Sequence, residues 1–281
     1  MNEKASLSRL VNDVYVLNSP FVESRRGLIV HDDGSTLIDT SVAFAETQLM
    51  LDKADMEQHP VRRVILTHSH FDHSAGCQLV PQLERIAGYG AGVWMHSEHA
   101  RNYLAQRPAE HPDLERVQVT PPTLEIDGSA RLRLNQRTLY LFPTPGHSPD
   151  SMSILLEPDG VLFSGDAVVT CFPPIIQDGN SNDEIRSLQH ILELDYAWLV
   201  PGHGPVLDAE AAKRHCEVSL AYLQAATNRL SRFTDPETPI ETFRQAVDDL
   251  RAMWTLPAEV VEFWHSRAVA KIWDEQCARL R

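Results

Sequence analysis

Val64-Ile65-Leu66-Thr67-His68-Ser69-His70-Phe71-Asp72-His73 is the stretch on which the reading of this 281-residue chain turns. Val64 to Leu66 are apolar, largely β-branched, and run straight into a polar loop. That pattern predicts a buried strand, placed at 62–66, ending in an exposed turn. The strand serves as a rigid post and the loop presents imidazole and carboxylate groups at its tip. Those groups are the ligand chemistry of zinc, iron or manganese. In a chain with 13 histidines an isolated His-x-His means little. His-x-His-x-Asp-His directly after a strand is a metal-ligand pattern.

Upstream of this stretch, residues 14–18, 27–31 and 36–39 read as short strands, with Asp32-Asp33-Gly34 as a hairpin turn. Residues 44–58 have helix-forming composition and stop before Pro60. Downstream, 74–87 read as helical with a break at Pro81, Val93-Trp94-Met95 as a strand, and Ser97 as the cap of the next helix. Residues 107–128 carry Pro108, Pro112, Pro121 and Pro122 and are expected to form a surface excursion bordering a pocket. Strands follow at 130–134, 138–143, 151–156 and 160–164, then a helix capped by Asn182 or Asp183, then a strand at 197–200. Beyond Leu207 the strands cease. Residues 208–232, 239–253 and 257–280 read as helices punctuated by Pro236, Pro239 and Pro257. The expected organisation is an α/β unit at 1–207 and a helical extension at 208–281 that covers or borders the site.

Three later residues repeat the geometry of the opening stretch. His147 lies in Pro-Gly-His-Ser, Asp166 in Ser-Gly-Asp-Ala and His203 in Pro-Gly-His-Gly, each just after a predicted strand. A neighbouring glycine lets the backbone turn sharply, so that the side chain can aim into a shared site. Four strand ends that each deliver ligand-type side chains point to one centre.

Composition narrows the partners. Lys plus Arg is 25 against 39 Asp plus Glu, a formal charge of −14. Such a surface repels phosphate backbones, so nucleic acid is not expected. No apolar run approaches the ~20 residues needed to span a bilayer, and residues 1–6 show no apolar signal core. Cys77, Cys171, Cys216 and Cys277 are widely spaced, without a Cys-x-x-Cys pair. A cytoplasmic protein without membrane association is therefore expected.

With these residues in order, the chain resembles the metallo-β-lactamase superfamily, whose signature is His-x-His-x-Asp-His followed by a later His, Asp and His. The resemblance covers roughly residues 10–207. It implies an αββα sandwich with metal at one edge between two sheets. It implies that His68, His70 and His147 hold one ion, that Asp72, His73 and His203 hold a second, and that Asp166 bridges them. Asp39 matches a position that supports the metal loop from beneath. The implied cofactor is two divalent ions, zinc first, with iron or manganese as alternatives. The implied activity is attack on an ester-like acyl bond by a metal-bridging hydroxide, with Asp72 orienting it and passing a proton to the leaving group.

Thioester is the first expectation for that bond and lactone the second. Lactonases similar at this site place a tyrosine three residues after the bridging aspartate, where this chain has Val169. Two other readings stand beside hydrolysis: a metal-containing regulatory or interaction protein with vestigial activity, and a mononuclear iron oxygenase like the persulfide dioxygenases. The apolar stretch Thr170 to Ile176 either passes the pocket mouth or packs on the C-terminal helices. Trp254, Phe263, Trp264 and Trp273 either belong to the core, cap a pocket, or form a homodimer face. Both features point toward an apolar or aromatic acyl substrate. His265, on the same helix, is read as structural.

Overall fold

The computed structural model describes residues 4–106 and 111–281. Met1–Glu3 and residues 107–110, with Pro108, lie outside the described residues. The first sheet holds, in spatial order, β1 (Ser6–Val11), β2 (Val14–Asn18), β3 (Arg25–His31), β4 (Gly34–Ile38), β5 (Val61–Ile65), β6 (Glu84–Gly88) and β7 (Leu124–Ile126). The second has the order β13-β12-β11-β10-β9-β8, built from β8 (Ala130–Leu134), β9 (Arg137–Pro143), β10 (Met152–Glu157), β11 (Val161–Gly165), β12 (Trp198–Pro201) and β13 (Leu207–Asp208). Helices α1 (Phe44–Met56), α2 (Phe71–Ser74), α3 (Ala91–Met95) and α4 (Glu98–Gln106) accompany the first sheet in sequence. Helices α5 (Ser181–Glu193), α6 (Ala209–Leu230), α7 (Ile240–Val247) and α8 (Ala258–Leu280) follow β11.

The period-two alternation of the strands explains the layering. In the first sheet Val14, Val16, Ile29, Ile38, Ile65 and Ile86 point inward to meet Leu139, Leu141, Ile154, Leu156 and Phe163 of the second. Their neighbours Leu17, Leu28, Leu37, Val64 and Leu66 point outward, onto Met50 and Ala54 of α1. A sheet covered on both faces needs apolar residues at successive positions, which is why these strands read as continuous hydrophobic runs. The outer face of the second sheet packs Phe142, Leu155, Leu162 and Leu199 against Leu188 and Ile191 of α5 and Cys216 and Leu223 of α6. Phe243, Val269 and Trp273 of α7 and α8 belong to the same apolar cluster. The order of layers is the αββα sandwich, with a helical C-terminal part.

Several local expectations are corrected. Residues 74–87 are not a broken helix: a 3₁₀ turn at Ala75–Leu79 is followed by β6, parallel to both β5 and β7. Helical composition loses there because Ile86 fills the inter-sheet core and Ala87 the outer one. Val93-Trp94-Met95 is not a strand but part of α3, whose start is held by Glu125 accepting from the backbone N–H of Gly90 (3.1 Å) and Gly92 (2.7 Å). Asn180, rather than Asn182 or Asp183, caps α5 by accepting from the N–H of both. The 239–253 helix ends at Val247 and continues as a 3₁₀ turn. Ser97 does cap α4, with Oγ accepting from Ala100 N at 3.0 Å. The polar strand β1 and the short strands β7 and β13 lie outside the strands that the sequence pattern predicts.

Candidate metal centre

The same edge of the sandwich receives every candidate ligand. β5 delivers His68 and His70 in the loop that follows it, and α2 places Asp72 and His73 one turn later. From the second sheet, β9 leads to His147, β11 to Asp166 and β12 to His203. Close packing dictates the glycines. Gly165 sits at φ +52°, where a Cβ would meet the Thr67 side chain at 2.5 Å. A Cβ on Gly202 would collide with the carboxylate of Asp166.

Three groups of side chains bring their ligand atoms within 4.8 Å of one another: His68, His70 and His147; His68, His73 and Asp166; and Asp72, His73 and His203. Asp166 lies at the centre. Its Oδ2 is 3.4 Å from His147 Nε2 and 3.4 Å from His203 Nε2, and its Oδ1 is 3.3 Å from His73 Nε2. Asp72 Oδ2 is 3.2 Å from His203 Nε2. His68, His73, His147, Asp166 and His203 are buried, whereas Asp72 and His70 are partly open to the cavity.

The hydrogen bonds behind the ring assign the tautomers. His73 Nδ1 donates to Asp39 Oδ2 (2.9 Å), His147 Nδ1 to the Ile175 carbonyl (2.8 Å) and His203 Nδ1 to the Val22 carbonyl (2.8 Å). Thr67 Oγ1 donates to Asp39 Oδ2 at 2.7 Å, so its lone pair accepts from His68 Nδ1 at 3.1 Å. In all four rings the Nε2 lone pair therefore faces inward when the imidazole is neutral. His70 is turned the other way: Nε2 lies 3.0 Å from Asp178 Oδ2, and Nδ1 faces His147 Nε2 at 2.8 Å. Those two nitrogens are close enough to share one ring's N–H or a single cation between them.

Asp39 thus orients two rings, one directly and one through Thr67. It also accepts from Thr67 N at 2.6 Å, and its own φ is +62°. Beneath the loop, the buried Arg26 guanidinium donates to the carbonyls of Thr40 (2.5 Å) and Asp72. Thr67, Arg26 and Asp178 escaped the sequence reading. Asp178, in Gln177-Asp178-Gly179, looks like an ordinary turn residue, and the strand sequence at 25–31 conceals the inward guanidinium of Arg26.

Electrostatics in the ring favour a cation. Burial opposes the charged form of Asp166, yet the surrounding imidazoles of His203, His73 and His147 hold it well below the usual carboxylate range. Asp72 is likewise held low against burial by His73 and His203. His203 resists desolvation and is pushed up to about 10, chiefly by the Asp166 and Asp72 carboxylates. Burial, opposed by Asp166, drives His147 down to about 4. Buried Asp166 Oδ1 and His68 Nε2 have no hydrogen-bond partner among the described residues. Inward lone pairs, ionised carboxylates and unsatisfied buried atoms fit a divalent metal, because imidazole and carboxylate are its donors.

The family model of the metallo-β-lactamase superfamily matches residues 27–203, which holds the entire ring. The chain belongs to this superfamily. A solved metallo-β-lactamase from Pontibacter korlensis aligns with a TM-score of 0.64 at 18% identity, covering 78% of this chain and 99% of that one. This likeness shows the fold. Among curated proteins, a "Beta-lactamase-like protein 2 homolog" of Caenorhabditis elegans is 35% identical over 88 residues, covering 31% of this chain and 29% of that protein. An "Atrochrysone carboxyl ACP thioesterase" of Aspergillus fumigatus is 30% identical, covering 65% and 51%. The chain spans about half or less of the length of these two relatives. The "Acyl-coenzyme A thioesterase MBLAC2" of Bos taurus is 28% identical, covering 65% and 71%. No described helix is long and apolar enough to cross a membrane.

The superfamily ring opens into a cavity of about 520 Å³. His70, Asp72, His147, Asp166 and His203 form its floor, and Phe21, Phe172 and Trp264 are among its walls. Both sequence readings of 170–176 hold together: Phe172 and Ile175 line the cavity while Phe172 packs on Trp264, ring centres 5.4 Å apart. The four C-terminal aromatics divide. Phe263 and Trp264 line the cavity, whereas Trp254 and Trp273 belong to the apolar core. His265 accepts at Nδ1 from, or donates to, the buried Tyr222 hydroxyl at 2.8 Å. Val169, three residues after Asp166, is buried and brings no hydroxyl to the site.

Proposed function

We propose that the protein is a dimetal hydrolase of an ester-like acyl bond, with a thioester as the first substrate class and a lactone as the second. The observation that carries this reading is the ring itself: two groups of three ligand side chains, with Asp166 in reach of both. His68, His70 and His147 would hold one ion and Asp72, His73 and His203 the other, zinc being favoured by the imidazole-rich donor set. Bound divalent ions supply Lewis acidity and lower the pKa of water toward neutrality.

The chain's own residues supply the rest. Asp39, Thr67, Asp178 and the carbonyls of Val22 and Ile175 lock the imidazole orientations before substrate arrives, which removes reorganisation from the reaction. Asp72 is the ring carboxylate more open to the cavity, its side chain 17% exposed against 5% for Asp166. It is placed to take a proton from the attacking water and return it to the departing sulfur or oxygen. Phe172, Ile175 and Trp264 offer an apolar surface beside this chemistry for an acyl group of the same character. The thioester preference is supported by relatives named as thioesterases and by Val169, which provides no lactonase-type hydroxyl. Protein reconstituted with zinc should hydrolyse at least one member of a thioester, lactone, ester and β-lactam panel. Inertness toward the whole panel, with both ions bound, defeats the reading.

A further inference from the structure

An aromatic wall leads away from the ring and ends on a cation. Phe172 lies 6.1 Å from His203 and 5.4 Å from Trp264, centre to centre. Trp264 stands 5.0 Å from Phe263, and the Arg267 guanidinium lies over the Phe263 ring at 3.5 Å. Phe263 and Arg267 are four residues apart on α8 and so share one helix face. Arg267 is the only Lys or Arg among the described residues that line the cavity.

Among the described residues, it is not one of the ion-paired arginines of this protein. Most surface guanidiniums here engage carboxylates, as Arg229 does with Asp249 and Arg251 with Glu262. Arg267 has no ion-pair partner among the described residues; it donates to its own helix carbonyl at Phe263, 3.3 Å away. Stacking on the ring holds the planar fork in place and leaves its other N–H donors available. A chain of net charge −14 repels anions at long range, so any attraction for one must be local. A guanidinium fork matches carboxylate and phosphate oxygens.

We propose that Arg267 is a specificity residue for an oxyanion, carboxylate or phosphate, at the far end of an apolar acyl substrate. The apolar body lies along Phe172 and Trp264, and the acyl carbon sits among the histidines. The reaction remains the one already proposed, on which this assignment of substrate class rests. The aromatic rings between His203 and Arg267 require a spacer, so short acyl groups cannot reach both ends.

The test uses zinc-loaded protein and three phenylpropanoyl thioesters sharing one leaving thiol and differing only in the para group: carboxylate, phosphate or neutral carboxamide. An anionic arm should exceed the carboxamide in kcat/KM by about tenfold or more, mainly through KM, as a charge-assisted hydrogen bond implies. Arg267→Met should bring that ratio close to one, and Arg267→Lys should retain part of it. The better anionic arm identifies the oxyanion. A ratio near one in the wild type, or an equal ratio in Arg267→Met, overturns the proposal. Binding is read separately from turnover by the fluorescence change, absent in Trp264→Phe, on adding the para-carboxy or para-carboxamido phenylpropanoic acid. If none of these three thioesters is cleaved, the hydrolase reading is decided on the wider panel above, and this titration still decides Arg267. Tighter binding of the para-carboxy acid that disappears in Arg267→Met supports it; indifference to the para group overturns it.

Discussion

The floor of the cavity and its helical wall are made by opposite strategies. The floor is over-determined: His68, His73, His147 and His203 are each fixed from behind by a carboxylate, hydroxyl or carbonyl, and Asp39 alone serves two rings. The wall at Phe172, Phe263, Trp264 and Arg267 is held by tilted and edge-to-face ring contacts and one cation–π contact, and offers surface more than directed hydrogen bonds. A rigid floor suits chemistry that tolerates little displacement, and an aromatic wall suits selection among acyl groups. Mutations should therefore split cleanly, with floor variants losing rate or metal and wall variants losing discrimination.

The largest effect is expected at Asp72. Asp72→Asn should lower kcat about a thousandfold, the scale of a lost general acid-base group, while circular dichroism stays native. A variant that turns over at the wild-type rate removes Asp72 from the proton path. Next comes Asp39→Asn, which leaves the ligands in place but disturbs two tautomers. Competition with a chelator should show metal affinity reduced by about 10–100-fold, the usual cost of losing an outer partner. Undiminished affinity would mean that packing alone orients His68 and His73.

On the wall, Trp264→Ala should raise KM about tenfold for an aromatic thioester, on the scale of burying one large apolar side chain, with a smaller fall in kcat. If kcat falls more than KM rises, Trp264 acts on the chemistry and the contrast between floor and wall collapses. The smallest change is expected behind the wall, where Tyr222→Phe leaves His265 Nδ1 buried without its partner. Thermal or urea unfolding should record a loss of about 1–3 kcal/mol, with metal affinity at its wild-type value. A loss of metal would show that the helical part and the floor are more tightly coupled than their contacts indicate.

The same division governs what could be read from the sequence. The ligand-type residues were legible because chemistry restricts them to a few residue types and strand ends restrict their spacing. His68, His70, Asp72, His73, His147, Asp166 and His203 all lie on the ring. The alternating strands of the two central sheets were legible for a related reason, since burial on both faces leaves a long apolar record. β6 was hidden because its ends, Glu84 and Gly88, lack strand character, and its parallel neighbours and the two cores it enters, all distant in sequence, stabilise it. Val93-Trp94-Met95 misled because the residue that caps its helix, Glu125, lies far along the chain. Arg267 and Asp178 were illegible as site residues because one arginine on a helix and one aspartate before glycine are ordinary in isolation. Only the fold brings them to the cavity.

The most direct test of the central claim is a zinc titration of metal-free protein, followed at each step by bound metal, thioester hydrolysis and oxygen uptake. A dimetal hydrolase predicts that hydrolysis rises with zinc and saturates near two ions per chain, with no oxygen consumed. Saturation at two ions without hydrolysis of any acyl substrate would contradict it. So would activity that requires one iron per chain and consumes oxygen.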